Sequence, residues 1–131
     1  MKLSEFKFKK GNEFKNKHLE IRYNTMYISE EFLRILSYST EYENYYQPNI
    51  YFKSNLKQDK YDLELFFCRS RTYNNKFVVC GRTENKYFGV GNKSKVKINI
   101  KTKQRIFRSL IKIYLKTNLY RIDKIEEILN T

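Results

Sequence analysis

The stretch Val96-Lys97-Ile98-Asn99-Ile100-Lys101-Thr102-Lys103-Gln104-Arg105-Ile106-Phe107-Arg108-Ser109-Leu110-Ile111 is where the apolar period of this chain changes. Up to Ile100, apolar and polar residues alternate, which turns successive side chains to opposite faces and marks a strand with one wet side. On that pattern Val96, Ile98 and Ile100 face inward and Lys95, Lys97, Asn99 and Lys101 outward. From Thr102, the expected N-cap, the spacing lengthens. At about 100° per residue Ile106, Phe107, Leu110, Ile111, Ile113 and Tyr114 share one broad face, while Arg105, Arg108, Lys112 and Lys116 gather on the opposite one.

Outward from this switch, the preceding segments read as strands divided by turn residues. Ile50-Tyr51-Phe52, Tyr61 to Cys68, Phe77 to Cys80 and Tyr87 to Val90 are rich in β-branched and aromatic side chains. Asn74-Asn75, Thr83-Glu84-Asn85 and Gly91-Asn92-Lys93 supply the turns between them. Phe6, Phe8 and the run Leu19-Glu20-Ile21-Arg22-Tyr23 alternate similarly and predict an opening hairpin around Gly11-Asn12.

Ser29, placed before Glu30-Glu31 and then Phe32, Leu33, Ile35 and Leu36, predicts a short capped helix ending near Ser39. Its hydroxyl accepts an amide hydrogen bond that the first turn leaves open, and acids favour that turn. After Asn118, the residues Ile122, Ile125, Ile128 and Leu129 predict a short last helix with an acidic polar face. The expected fold class is therefore α+β, with residues 1–131 as a single domain. An antiparallel β-meander sheet carries a short helix in the N-terminal half, a basic amphipathic C-terminal helix and the short last helix.

At 131 residues and 40% hydrophobic composition the chain can bury a core without metal or disulfide supports, and it is no disordered basic tail. With 12 Tyr, 10 Phe and no Trp, that core is built from Ile, Leu, Val, Phe and the rings of partly buried tyrosines. No apolar run approaches the roughly 18 residues of a membrane span, and the first residues alternate Lys with Phe instead of forming a signal-peptide core. An intracellular protein with no membrane partner is expected, with Cys68 and Cys80 as reduced thiols on a shared hairpin. One His and two Cys lack any usual zinc spacing, so neither a structural metal nor a cofactor is expected.

Charge is distributed unevenly. Residues 69–121 hold fifteen Lys or Arg and one acid, Glu84, a formal +14, whereas the whole chain is +13. A field of one sign over one region captures polyanions, which evenly scattered charge does not. A/T-rich codons explain part of the Lys, Asn, Ile and Tyr excess, but they act on every segment and do not strip acids from one region alone.

The expected partner is nucleic acid, DNA or RNA, or a nucleoprotein complex. The candidate contacts are Arg69, Arg71, Arg82, Lys93, Lys95, Lys97, Lys101, Lys103, Arg105, Arg108, Lys112 and Lys116. Arginine forks grip phosphates bidentately or pair with guanine edges, and lysines act as point charges. Tyr42, Tyr45, Tyr46 and Tyr51 lie in a locally acidic segment and suit the lid of a core or a protein contact better than base stacking.

The size and composition fit a small phage or mobile-element protein engaged in regulation or in countering host defence. The alternative is a protein-directed inhibitor, anti-CRISPR-like, that occupies the nucleic-acid groove of another complex. A metal-dependent nuclease using Asp62 or Glu64 with Glu84 and Lys86 ranks third. Gly89-Val90-Gly91-Asn92-Lys93 precedes a strand and reads as a turn, since a phosphate-cradling loop opens a helix. His18, beside Lys15, Asn16 and Lys17, is expected to be solvated.

Overall fold

A computed structural model describes residues 17–22, 25–38, 50–73, 75–89 and 96–129, which form seven strands and three helices in an α+β arrangement. In chain order these are β1 (Leu19–Arg22), β2 (Thr25–Ser29), α1 (Glu30–Tyr38), β3 (Tyr51–Phe52), β4 (Leu63–Arg69) and β5 (Lys76–Arg82). They are followed by β6 (Lys86–Phe88), β7 (Val96–Lys97), α2 (Ile100–Leu115) and α3 (Asn118–Leu129). The expected strand over Phe6 and Phe8, the turn at Gly11-Asn12, and Tyr42, Tyr45, Tyr46, Lys93 and Lys95 lie outside the described residues.

The strand order is β1-β2-β5-β4-β3, antiparallel throughout, with β6 added antiparallel to β5 and β7 parallel to β6. Only the run from β3 to β6 follows the expected meander; the β1–β2 hairpin inserts beside β5. Because β4 occupies one edge of β5 from Phe77 to Arg82, the other edge is shared. There β2 pairs at Lys76, Phe77 and Val78, and β6 pairs at Gly81 and Arg82. The two strands part beside Val79 and Cys80, and a cleft opens at that point.

Alternation assigns the two faces of the sheet. Leu19 and Ile21 of β1, Met26 and Ile28 of β2, Leu63, Leu65 and Phe67 of β4, Val79 of β5 and Phe88 of β6 turn to one side. There they meet Phe32, Leu33 and Leu36 of α1 and Ile106, Phe107, Leu110, Ile111 and Tyr114 of α2 in one core. Close packing is what gives such a layer most of its stability, since each buried aliphatic or aromatic side chain contributes roughly 1.5–3 kcal/mol. Gly81 faces Phe88 across the β5–β6 pair, and the Phe88 ring fills the space a side chain would need.

Three local expectations change. Ser29 caps α1 as expected, accepting from the Phe32 amide at 3.1 Å, but it also meets His18 Nδ1 at 2.8 Å. His18 is buried, not solvated, because the β1–β2 ladder continues through the Ser29 amide, which donates to the His18 carbonyl at 2.9 Å. The strand expected over 96–100 stops at Lys97. Asn99 caps α2 by accepting from the Lys101 amide at 2.8 Å, so Thr102 lies inside the helix. Only Ile98 of the three branched residues is buried, while Val96 and Ile100 are exposed. The last helix is longer than expected, and its apolar residues Ile122, Ile125, Ile128 and Leu129 stand in solvent.

The opposite sheet face carries an ion cluster. Glu20 is buried and accepts from Arg22 Nε at 2.6 Å and from the Lys76 ammonium. Burial raises the Glu20 pKa, yet the hydrogen bonds and charges of Lys76 and Arg22 outweigh it, leaving the carboxyl below the ordinary glutamate range. A carboxyl lowered on folding stabilises the protein above its unfolded pKa, and that contribution disappears as pH falls through the folded value. Glu20→Gln should therefore cost about 2 kcal/mol at neutral pH. The gap to the parent should close below about pH 4. Urea unfolding at both pH values measures it, and an equal gap at each would reject the assignment.

Candidate nucleic-acid interface

The cleft at the parting of β2 and β6 has a volume of about 930 Å³. Four of the expected cations line it: Arg69 at the end of β4, Arg71 in the turn that follows, Lys97 of β7 and Lys103 of α2. No carboxylate belongs to its described lining, which adds hydroxyls from Thr25, Tyr27, Ser70, Thr72 and Tyr87. Ser70 shapes the turn bearing Arg71. Its buried hydroxyl accepts from the amides of Thr72 at 3.2 Å and Tyr73 at 3.1 Å, so the turn is folded locally and held to the sheet through the Ser70 amide and the Lys76 carbonyl.

The cations differ in setting. Arg69, Arg71 and Lys97 are exposed, and the Arg69 guanidinium lies 5.3 Å from the centre of the Phe77 ring. Lys103 is half-buried over the rings of Phe88 and Phe107, at 5.6 and 5.8 Å from their centres. Burial, and then the charge of Lys97, lower its pKa to about 8, with the Cys80 thiol acting in the opposite direction. No hydrogen bond or carboxylate engages its ammonium among the described residues. Lys101, exposed, adds a further positive charge in the opening turn of α2, where the helix macrodipole favours anions.

Other expected contacts are placed elsewhere. Arg82 is exposed on the open sheet face over the Phe66 ring at 5.1 Å, with its Nε 3.6 Å from Glu64. Arg105 is half-buried and donates to the Lys53 carbonyl, while Thr102 donates to the Ser54 carbonyl at 3.3 Å. These bonds fasten the 53–62 loop to α2. Arg108 is half-buried as well, leaving Lys112 and Lys116 as the exposed half of the expected basic row. The helical wheel placed all four outward because a wheel does not contain the loop that packs beside the helix. Tyr51 of β3 is half-exposed.

Of the three carboxylates considered for metal chemistry, Glu84 is exposed, and the other two are engaged in structure. Asp62 accepts from the Ser54 amide at 2.8 Å and from Gln58 at 2.6 Å, closing the 53–62 loop, and Glu64 sits beside Arg82. No group of three or more potential metal ligands gathers among the described residues. Both cysteines are free, Cys68 opposite Val78 and Cys80 opposite Phe66 in the ladder. Cys80 is buried against Gly89, whose φ of +81° suits glycine and where a Cβ would lie 2.7 Å from the Cys80 sulfur.

Tyr27, Tyr87, Thr25 and Ser70 were not found by counting charge. Tyr27 packs edge-on to Tyr73 at 5.1 Å, whereas Tyr87 has no ring partner among the described residues. Among the described residues no helix is long and apolar enough to cross a membrane. In comparisons with protein-family models, curated proteins and solved structures, nothing matches this chain.

Proposed function

We propose that the protein binds nucleic acid through the cleft between β2 and β6, without catalysing a reaction on it. One observation carries this reading: cations from residues 69–71, 97 and 103 converge in one concavity whose described lining contains no acid. Unneutralised like charges repel, and a surface that assembles them is stabilised when a polyanion occupies it. Lys101, Lys112 and Lys116 on α2 extend the positive field beyond the cleft. The protein acts inside the cell on this reading, where nucleic acid is available and thiols such as Cys68 and Cys80 stay reduced.

A salt titration tests it directly. Neutralising four phosphates at the cleft gives a slope of log affinity against log salt near −3 on a single strand. Fluorescence anisotropy with a labelled oligonucleotide measures that slope. Affinity unchanged between low and physiological salt rejects the proposal.

A protein-directed inhibitor is the second reading, favoured by the exposed Ile122, Ile125, Ile128 and Leu129 of α3. An apolar stripe of this kind contributes nothing to holding phosphates and suits a protein contact. On that reading Ile125→Asp with Ile128→Asp removes a nuclease-resistant protein partner and leaves oligonucleotide affinity unchanged.

A further inference from the structure

Among the four cations of the cleft's described lining, Lys103 alone is withdrawn from solvent. Its ammonium lies over the packed pair of Phe88 and Phe107 and has neither a carboxylate nor a hydrogen-bond partner among the described residues. Taking a charge out of water without a partner is costly, so a ligand that supplies the missing anion gains more here than at the exposed cations. The cleft combines this cation with apolar wall at Val78, Phe88 and Ile98, and with the half-buried ring of Tyr87. Its volume of about 930 Å³ lies within the range of sites that enclose small ligands, roughly 300–1,000 Å³.

The shape discriminates between nucleic-acid forms. Duplex phosphates run along a convex rod with the bases stacked inside, so they meet exposed cations and not one recessed behind them. An unpaired nucleotide turns freely about its backbone, and its base has an apolar face that stacks on aromatic rings.

We infer that the cleft admits one unpaired nucleotide of a single strand, with its phosphate on Lys103, its base against Tyr87, and the flanking phosphates on Arg69, Arg71 and Lys97. The inference deepens the nucleic-acid reading and rests on it. DNA and RNA share the chemistry used here.

Phosphate favours the protonated amine, so single-strand affinity falls as pH rises through the Lys103 pKa of about 8. Among the described residues, the charged and titratable groups that share the cleft with Lys103 or act on it are Lys97 of β7, Cys80 of β5, Cys68, Arg69 and Arg71 of β4 and its turn, Tyr27 of β2 and Tyr87 of β6. Lys103→Arg separates Lys103 from the rest, because guanidinium does not titrate in this range.

The experiment measures anisotropy with one sequence of about 12 nucleotides, a length that single-strand sites cover. It is supplied as a DNA strand, an RNA strand and a blunt DNA duplex, and tested against the parent, Lys103→Met and Lys103→Arg. Met keeps the stem without the charge, and circular dichroism confirms that each variant folds. One of the two strands should bind at least about tenfold tighter than the duplex, and Lys103→Met should remove about tenfold from that strand while changing the duplex less than about twofold. Parent affinity should weaken several-fold between about pH 7 and pH 9, with Lys103→Arg retaining binding on a flat profile. The preferred strand identifies the sugar, and either preference upholds the inference.

A duplex bound as well as both strands, with Lys103→Met equal on all or silent on all, overturns the inference and leaves the broader reading standing. Failure of the parent to bind any of the three overturns both.

Discussion

Reversing three charges at once, Arg69→Glu with Arg71→Glu and Lys97→Glu, should remove nucleic-acid binding at physiological salt. Each substitution deletes a cation that lines the cleft and installs an acid that repels the phosphate this cation is proposed to hold. Three lost charge-assisted contacts amount to at least about 10³-fold in affinity. The salt slope on a single strand should flatten by about 2. All three side chains are exposed, so the fold should survive, and an unchanged thermal midpoint verifies it. The outcome that defeats the cleft assignment is affinity within about threefold of the parent, the size of an ordinary surface effect. Equivalent reversal of Lys112 and Lys116 should weaken binding less, because these lysines extend the field without lining the concavity.

The largest loss of stability is expected at Tyr114. Its side chain is fully buried at the junction of all three helices, 5.6 Å from the ring of Phe32 in α1 and 5.8 Å from that of Tyr120 in α3. Tyr114→Ala removes the ring that joins them and leaves a void that the sheet, packed on the other side, cannot fill. A truncation of this kind costs about 3–5 kcal/mol. Against a total of typically 5–15 kcal/mol, that is a large share of the folding free energy. The melting temperature should fall by roughly 10–20 °C. Ile113→Ala, one residue away and 38% exposed, should change it by only a few degrees and serves as the control. A drop in Tyr114→Ala no larger than in that control would show that the helices are held by other contacts.

What the sequence revealed depended on whether the cause was local. In Leu63-Glu64-Leu65-Phe66-Phe67-Cys68 the inward residues alternate cleanly, and β4 lies over that segment with Leu63, Leu65 and Phe67 in the core. Of the predicted helical face, Ile106, Phe107, Leu110, Ile111 and Tyr114 are buried and only Ile113 at its margin is exposed, because both patterns arise from backbone geometry within one element. The β1–β2 hairpin was hidden, although Arg22 pairs with Thr25 across only two intervening residues, the second an asparagine suited to tight turns. Gly11-Asn12 carries the stronger turn signal of the two.

The site was legible as a charge excess but not as a place. Linear counting gives Arg69, Arg82, Lys103 and Arg105 equal standing; only the order of strands about β5 brings two of them into the cleft. The same tertiary structure assigns Arg82 to Glu64 and Arg105 to the Lys53 carbonyl. Lys103 reads in the sequence as one more surface lysine, and nothing in the neighbouring residues announces that its ammonium lies over Phe88 and Phe107.

The pairing of β2 with β5 also bears on the order in which the molecule assembles. Tyr27 and Val78, opposite each other in the ladder and both in the cleft wall, are joined by a loop of about fifty residues, whereas β1–β2, α2 and the β4–β5 hairpin close over short distances. Local units of that kind form early, and the long closure is the slow, entropically costly step. One wall of the cleft therefore waits for the most distant partners in the sheet to meet, and partly folded chains that already carry the full charge of residues 69–121 lack the concavity. On the proposed reading, recognition by shape is then a property of the finished molecule alone, while attraction by charge belongs to every state of the chain.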